Sequence, residues 1–162
     1  MKLKTLAFTL AALTIPGLHN VHAQGQDQPT MTGTWIAAIR INENLPPGVP
    51  ATFRALHTYI ADGRFLDRNT QNPAGTSSGH GEWEPIGNRR FALTFIFFSF
   101  DPTGQHAATI KVRSTITLNE RGDEWTGPLS AQAFSPEGAP LGPPALGVHT
   151  GLRVVSEPLP QQ

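Results

Sequence analysis

Apolar and polar residues alternate with a period of two along much of the chain. The clearest case is 106–118, where Ala108, Ile110, Val112, Ser114, Ile116 and Leu118 interleave with Thr109, Lys111, Arg113, Thr115 and Thr117. That spacing puts one set on each face of an extended strand. Seven further runs, at 33–41, 53–60, 63–68, 80–86, 89–100, 124–134 and 148–155, are rich in β-branched or aromatic residues and bounded by turn formers, which predicts eight strands. No window carries a helical period. Run 89–100 is apolar on both faces, with Phe91, Leu93, Phe95 and Phe97 on one and Ala92, Ile96, Phe98 and Phe100 on the other. Such a strand needs cover on both sides, from the interior and from a loop, a terminal segment or a second copy of the chain.

The connections predict how the strands pair. Ala61-Asp62-Gly63, Gly87-Asn88, Asp101-Pro102-Thr103-Gly104 and Arg121-Gly122-Asp123 separate successive runs, and each contains residues that tolerate positive φ or start tight turns. Consecutive strands therefore form antiparallel hairpins. The expected fold is all-β, an eight-stranded antiparallel up-and-down barrel, because closure removes the edges that an open meander would expose. Gly (16) and Pro (15) fall between the apolar runs and punctuate them.

Residues 1–23 read as a secretory signal peptide: Lys2 and Lys4, an apolar stretch from Leu6 to Ile15 too short to span a bilayer, and Val21-His22-Ala23 before a cut. Residues 24–162 then form a single domain, secreted or periplasmic, with no membrane association after cleavage. Without Lys2 and Lys4 the 12 basic residues fall to 10 against 12 acidic ones, a balance that offers nothing to nucleic acid. The chain has no cysteine, so core packing must stabilise it without cross-links, and thiolate metal sites and thiol chemistry are excluded.

Several side chains are candidates for chemistry. His80 and Glu82 stand at i, i+2 and point to one face, with Glu84 continuing the row. A carboxylate facing an apolar interior has a raised pKa and can exchange a proton with His80, whereas on the outer face the pair of glutamates would simply meet Arg89 and Arg90. Tyr59 lies in phase with His57 and Phe53 and can donate to a ligand carbonyl or fill one end. His57, His80, His106 and His149 lack a dense ligand motif, so neither a metal nor another cofactor is expected. Lys111 and Arg113 are expected outside; turned inward they would make an anion site at a desolvation cost of several kcal/mol for each charge. The aromatic set Trp35, Phe53, Tyr59, Phe65, Trp83, Phe91, Phe95, Phe97 and Trp125 either fills the interior or lines a cavity. Phosphate-cradling and dinucleotide-binding glycine motifs are absent.

Gly33-Thr34-Trp35, followed by hairpin-linked strands, resembles the Gly-x-Trp opening of lipocalin-like (calycin) barrels. The segments Gly79-His80-Gly81-Glu82-Trp83-Glu84 and Gly87-Asn88-Arg89-Arg90-Phe91 are similar to small secreted bacterial barrel proteins. The architecture is also similar to allene oxide cyclase-like and dirigent-like barrels. The first resemblance implies that Trp35 closes one end and that the lumen holds a small hydrophobic ligand, with Trp35, Phe53, His57, Trp83, Phe91, Phe95 and Phe97 lining it. The allene oxide cyclase-like resemblance implies a cofactor-independent isomerase or cyclase, for which Glu82, His80 and Tyr59 are the candidate polar groups. A third expectation is an interaction protein with a filled barrel, a homo-oligomer joined through strand 89–100.

Overall fold

Short turns join four of the seven pairs of successive strands. In the computed structural model, which describes residues 30–46, 48–72 and 74–160, the strands are β1 (Gly33–Glu43), β2 (Thr52–Tyr59), β3 (Arg64–Asn69), β4 (Gly79–Gly87), β5 (Arg90–Phe100), β6 (His106–Leu118), β7 (Glu124–Phe134) and β8 (Ala145–Arg153). They form a closed barrel in sequence order, each antiparallel to its neighbour, with β8 returning to β1 from Trp35↔Arg153 to Glu43↔Leu146. The signal reading of 1–23 falls outside the described residues.

Between β2 and β3 the Asp62 carboxylate accepts a hydrogen bond from the Arg64 backbone N–H at 3.2 Å, and Gly63 supplies a φ of +92°. The resulting register places His57 opposite Asp67 and Tyr59 opposite Phe65. The β4–β5 turn lies one residue later than the sequence suggests. Its two loop residues, Asn88 and Arg89, are left-handed at φ 50° and 57°, and Gly87 before them is at φ 92° beside a register shift. Two consecutive positive φ values match the twist of a two-residue hairpin. Strand β8 is also displaced from the expected 148–155. It begins at Ala145, immediately after Pro143 and Pro144, and ends at Arg153, where the pairing with Trp35 stops.

The barrel tapers. At one end Met31, Trp35, Tyr59, Ile116, Leu118 and Trp125 are buried. Trp35 is fully inaccessible, its Nε1 donates to the Met31 carbonyl at 2.9 Å, and the Arg153 guanidinium lies 4.1 Å from its ring centroid. Arg153 is held there by donating to the carbonyls of Thr30, Thr32 and Gly122. The other end is lined by Ile41, Phe53, Phe97, Ile110 and Ala131, which are only partly buried although they pack against the core. Bulky rings close the first end, and smaller or half-covered side chains rim the second. Outside, Ile96 and Phe98 remain exposed on β5, Phe98 at 46%. The 75–77 segment pairs with the end of that strand, and no described element covers its outer face.

Candidate functional site: polar pairs inside the barrel

Between the closed end and the rim, the inward positions of β2, β3, β6 and β8 carry polar groups. His57 Nε2 lies 3.2 Å from Asp67 Oδ1, both side chains almost wholly buried. The β2–β3 turn dictates this pair. Gly79, opposite Asp67 on β4, has no side chain for a physical reason: a Cβ there would stand 2.9 Å from both the Asp67 Cβ and a Phe95 ring carbon. Across the barrel, Ser114 donates its hydroxyl proton to the Pro128 carbonyl at 2.7 Å and lies 2.6 Å from His149 Nε2. With that proton committed, the serine oxygen accepts from an Nε2–H of His149. Burial first, and the neighbouring His57 second, push the His149 pKa down to about 3, so this imidazole is neutral.

Aromatic rings join the two pairs. The His57 ring lies parallel to Trp125 at 5.9 Å and edge-on to Phe65 at 5.0 Å and to Tyr59 at 6.3 Å, while His149 meets Trp125 edge-on at 4.6 Å. Gly151 makes room for Trp125, since a Cβ there would come within 2.3 Å of the indole Nε1. Three buried polar atoms of this cluster have no hydrogen-bond partner: His57 Nδ1, the Tyr59 hydroxyl and Trp125 Nε1. Buried polar groups are paired in the great majority of cases, so three in one cluster call for a physical reason. Burial, and secondarily the charge of Asp67, raise the Tyr59 pKa well above its ordinary value, which keeps the phenol protonated as a donor. A lone pair on His57 Nε2 would face the carboxylate, so the ring carries a proton on that nitrogen.

Of the residues singled out from sequence, Trp35, Tyr59, His57, Phe91 and Phe95 are buried in the interior, and Trp83, Phe53 and Phe97 are partly buried against it. Glu82 and His80 are exposed on the outer face of β4 and are not brought to Tyr59. Glu82 and Glu84 instead border an outer groove of about 410 Å³ with Asp62 and Arg64. A second outer groove, about 510 Å³, crosses β1, β2 and β8 beside Arg40 and Arg54. Arg113 is exposed and Lys111 half-buried, both in the outward phase of β6. His106 is exposed and stands edge-on to Phe98 at 5.1 Å. Among the described residues no group of three or more His, Asp or Glu side chains is placed to hold a metal.

Sequence reasoning missed Asp67 and Ser114. Asp67 follows Phe65 by two positions on a strand where Leu66 is also apolar, which hid the phase. Counting back from the 61–63 turn would have paired it with His57. Comparisons with known proteins add no function: no family model matches the chain, and no curated protein or solved structure matches it.

Proposed function

We propose that the protein is an exported container for a small, predominantly apolar molecule, admitted at the rim formed by Ile41, Phe53, Phe97, Ile110 and Ala131. The observation that carries this reading is the incomplete burial of those inward apolar side chains, against an opposite end where Met31, Trp35, Tyr59, Ile116, Leu118 and Trp125 are buried and Trp83 is partly so. A barrel whose purpose is only to be stable gains by burying such side chains, each worth about 1.5–3 kcal/mol. Leaving them half-covered at one end makes an apolar lining for a guest. An eight-stranded barrel is just wide enough to hold one small ligand. The likeness of Gly33-Thr34-Trp35 to the opening of lipocalin-like barrels points the same way, and the signal-like residues 1–23 would place the container outside the cytoplasm.

The test is binding of the uncharged dye N-phenyl-1-naphthylamine, which fluoresces on leaving water. Saturable enhancement with one dye per protein is expected. Phe97→Asp, which puts an unpaired charge at the rim without touching the packed end, should weaken binding by about tenfold or more, the loss of one apolar contact plus a desolvation cost. Equal binding by the folded variant would place the dye elsewhere and defeat the reading.

A further inference from the structure

On the outer wall two arginines line one groove with no acidic partner. Arg40 on β1 and Arg54 on β2 are exposed and border the cleft of about 510 Å³ that crosses β1, β2 and β8. Ala38 lies opposite Arg54 and Arg40 opposite Thr52, so the two arginines are diagonal neighbours on one face, roughly 7–8 Å apart at the backbone. Among the described residues Arg64, Arg89 and Arg121 meet carboxylates and Arg153 meets carbonyls, whereas the side chains of Arg40 and Arg54 have neither an ion pair nor a hydrogen bond. The strands explain this: β8, β2 and β1 as far as Arg40 contain no Asp or Glu. Thr52, Thr70 and Thr150 line the same groove, and their hydroxyls add donors to the two positive charges. One pleat toward the closed end, Leu152, Ile36 and Leu56 stand side by side on β8, β1 and β2, exposed at 58%, 43% and 51%. One exposed aliphatic side chain is ordinary, but a contiguous row marks a contact surface.

We propose that this groove binds a dissolved phosphate monoester with an aliphatic chain, the phosphate between Arg40 and Arg54 above Ala38 and the chain across Ile36 and Leu56. Two guanidinium groups without partners call for two negative charges on one group, which a phosphate monoester carries above its second pKa near 6. A carboxylate or a sulfate ester brings only one. The phosphate also presents three oxygens to the arginine forks and the threonine hydroxyls. Ala38 matters by its size, because its methyl floors the cleft and a longer side chain opposite Arg54 would fill it. The concavity suits a single molecule, whereas a flat bilayer would reach the aliphatic row but not the floor. The site lies on the outside of the barrel and does not depend on the container reading.

The experiment is titration of the ¹⁵N-labelled protein with n-hexyl phosphate at pH 8 and low salt, following the backbone amide signals. Saturable shifts are expected at Ala38, Thr52 and Thr150. Both n-hexyl sulfate and inorganic phosphate should bind at least about fivefold more weakly, the first for want of the second charge and the other for want of the aliphatic contact. Arg40→Gln and Arg54→Gln keep polar side chains at exposed positions, so both variants should fold. Each should weaken binding about fivefold or more and the pair should abolish it, while Arg113→Gln, on the outward phase of β6, leaves it unchanged. Affinity should also fall as ionic strength rises. The assignment is overturned by the absence of a saturable shift, by equal binding of n-hexyl sulfate or inorganic phosphate, or by an equal loss in Arg113→Gln. Undiminished binding by the double variant overturns it too, and would put the ligand elsewhere on the barrel.

Discussion

Between pH 7.5 and pH 4.5 the protein should lose about 3 kcal/mol of stability through His149 alone, reaching about 4 kcal/mol near pH 3, at about 1.4 kcal/mol per pH unit over the steep part. The direction follows from the depressed pKa. In the unfolded chain His149 takes up a proton near its ordinary value of 6.5, whereas in the barrel burial delays protonation to about 3. Across that interval the unfolded state binds more protons, so stability rises with pH and falls on acidification. Below the folded value both states are protonated and the loss levels off. Protonation would put a charge inside the barrel next to a serine whose proton already goes to Pro128. Urea midpoints at pH 7.5, 6, 5 and 4.5 check this against His149→Gln, which keeps an amide donor for Ser114 and cannot titrate. The difference between the two slopes isolates His149 from the lowered pKa values of Asp62, Asp101 and Asp123, whose effects lie at lower pH. Parallel slopes would mean that the imidazole is solvated.

Trp35→Ala should destabilise the barrel by about 4 kcal/mol, the middle of the range for emptying a buried aromatic site. The substitution removes the fully inaccessible ring at the closed end, its hydrogen bond to Met31 and its edge contact with Trp125 at 6.4 Å. It also leaves Arg153 without the ring beneath its guanidinium. Neighbouring strands can collapse little around the hole, because hydrogen-bonded pairing on both sides of β1 fixes their spacing. Denaturant unfolding measures the loss. Trp35→Phe, retaining most of the apolar area, should cost distinctly less. A loss below about 1 kcal/mol for Trp35→Ala would show that this end is not the packed foundation of the fold.

The barrel was legible because its information is local. Alternation gives each strand two faces, and turns such as Ala61-Asp62-Gly63 dictate which neighbour it meets. The end of β8 was less so, since Val154 and Val155 are as β-prone as the residues before them. Only the pairing partner Trp35 determines where the ladder stops. The site was legible in its aromatic part, where His57, Tyr59 and Phe95 share the phase of obvious core residues. Glu82 and His80 drew attention because they stand at strand spacing, but spacing alone does not say which face is inside. On β4 the inward positions belong to Gly79, Gly81 and Trp83, and two glycines leave no apolar signal to reveal the phase. The pairing of Ser114 with His149 joins residues 35 positions apart while the Ser114 hydroxyl also donates to the Pro128 carbonyl on a third strand, and no local pattern encodes it.

The three tryptophans allow the container to be tested from inside. Trp35 Nε1 donates to Met31 and Trp83 Nε1 donates to the Ile60 carbonyl at 3.0 Å, whereas Trp125 Nε1 has no partner. In a ¹H–¹⁵N spectrum of the folded protein, titration with N-phenyl-1-naphthylamine should move the Trp125 indole signal progressively and leave those of Trp35 and Trp83 nearly fixed. A saturating dye that leaves Trp125 unmoved would contradict a guest in the lumen.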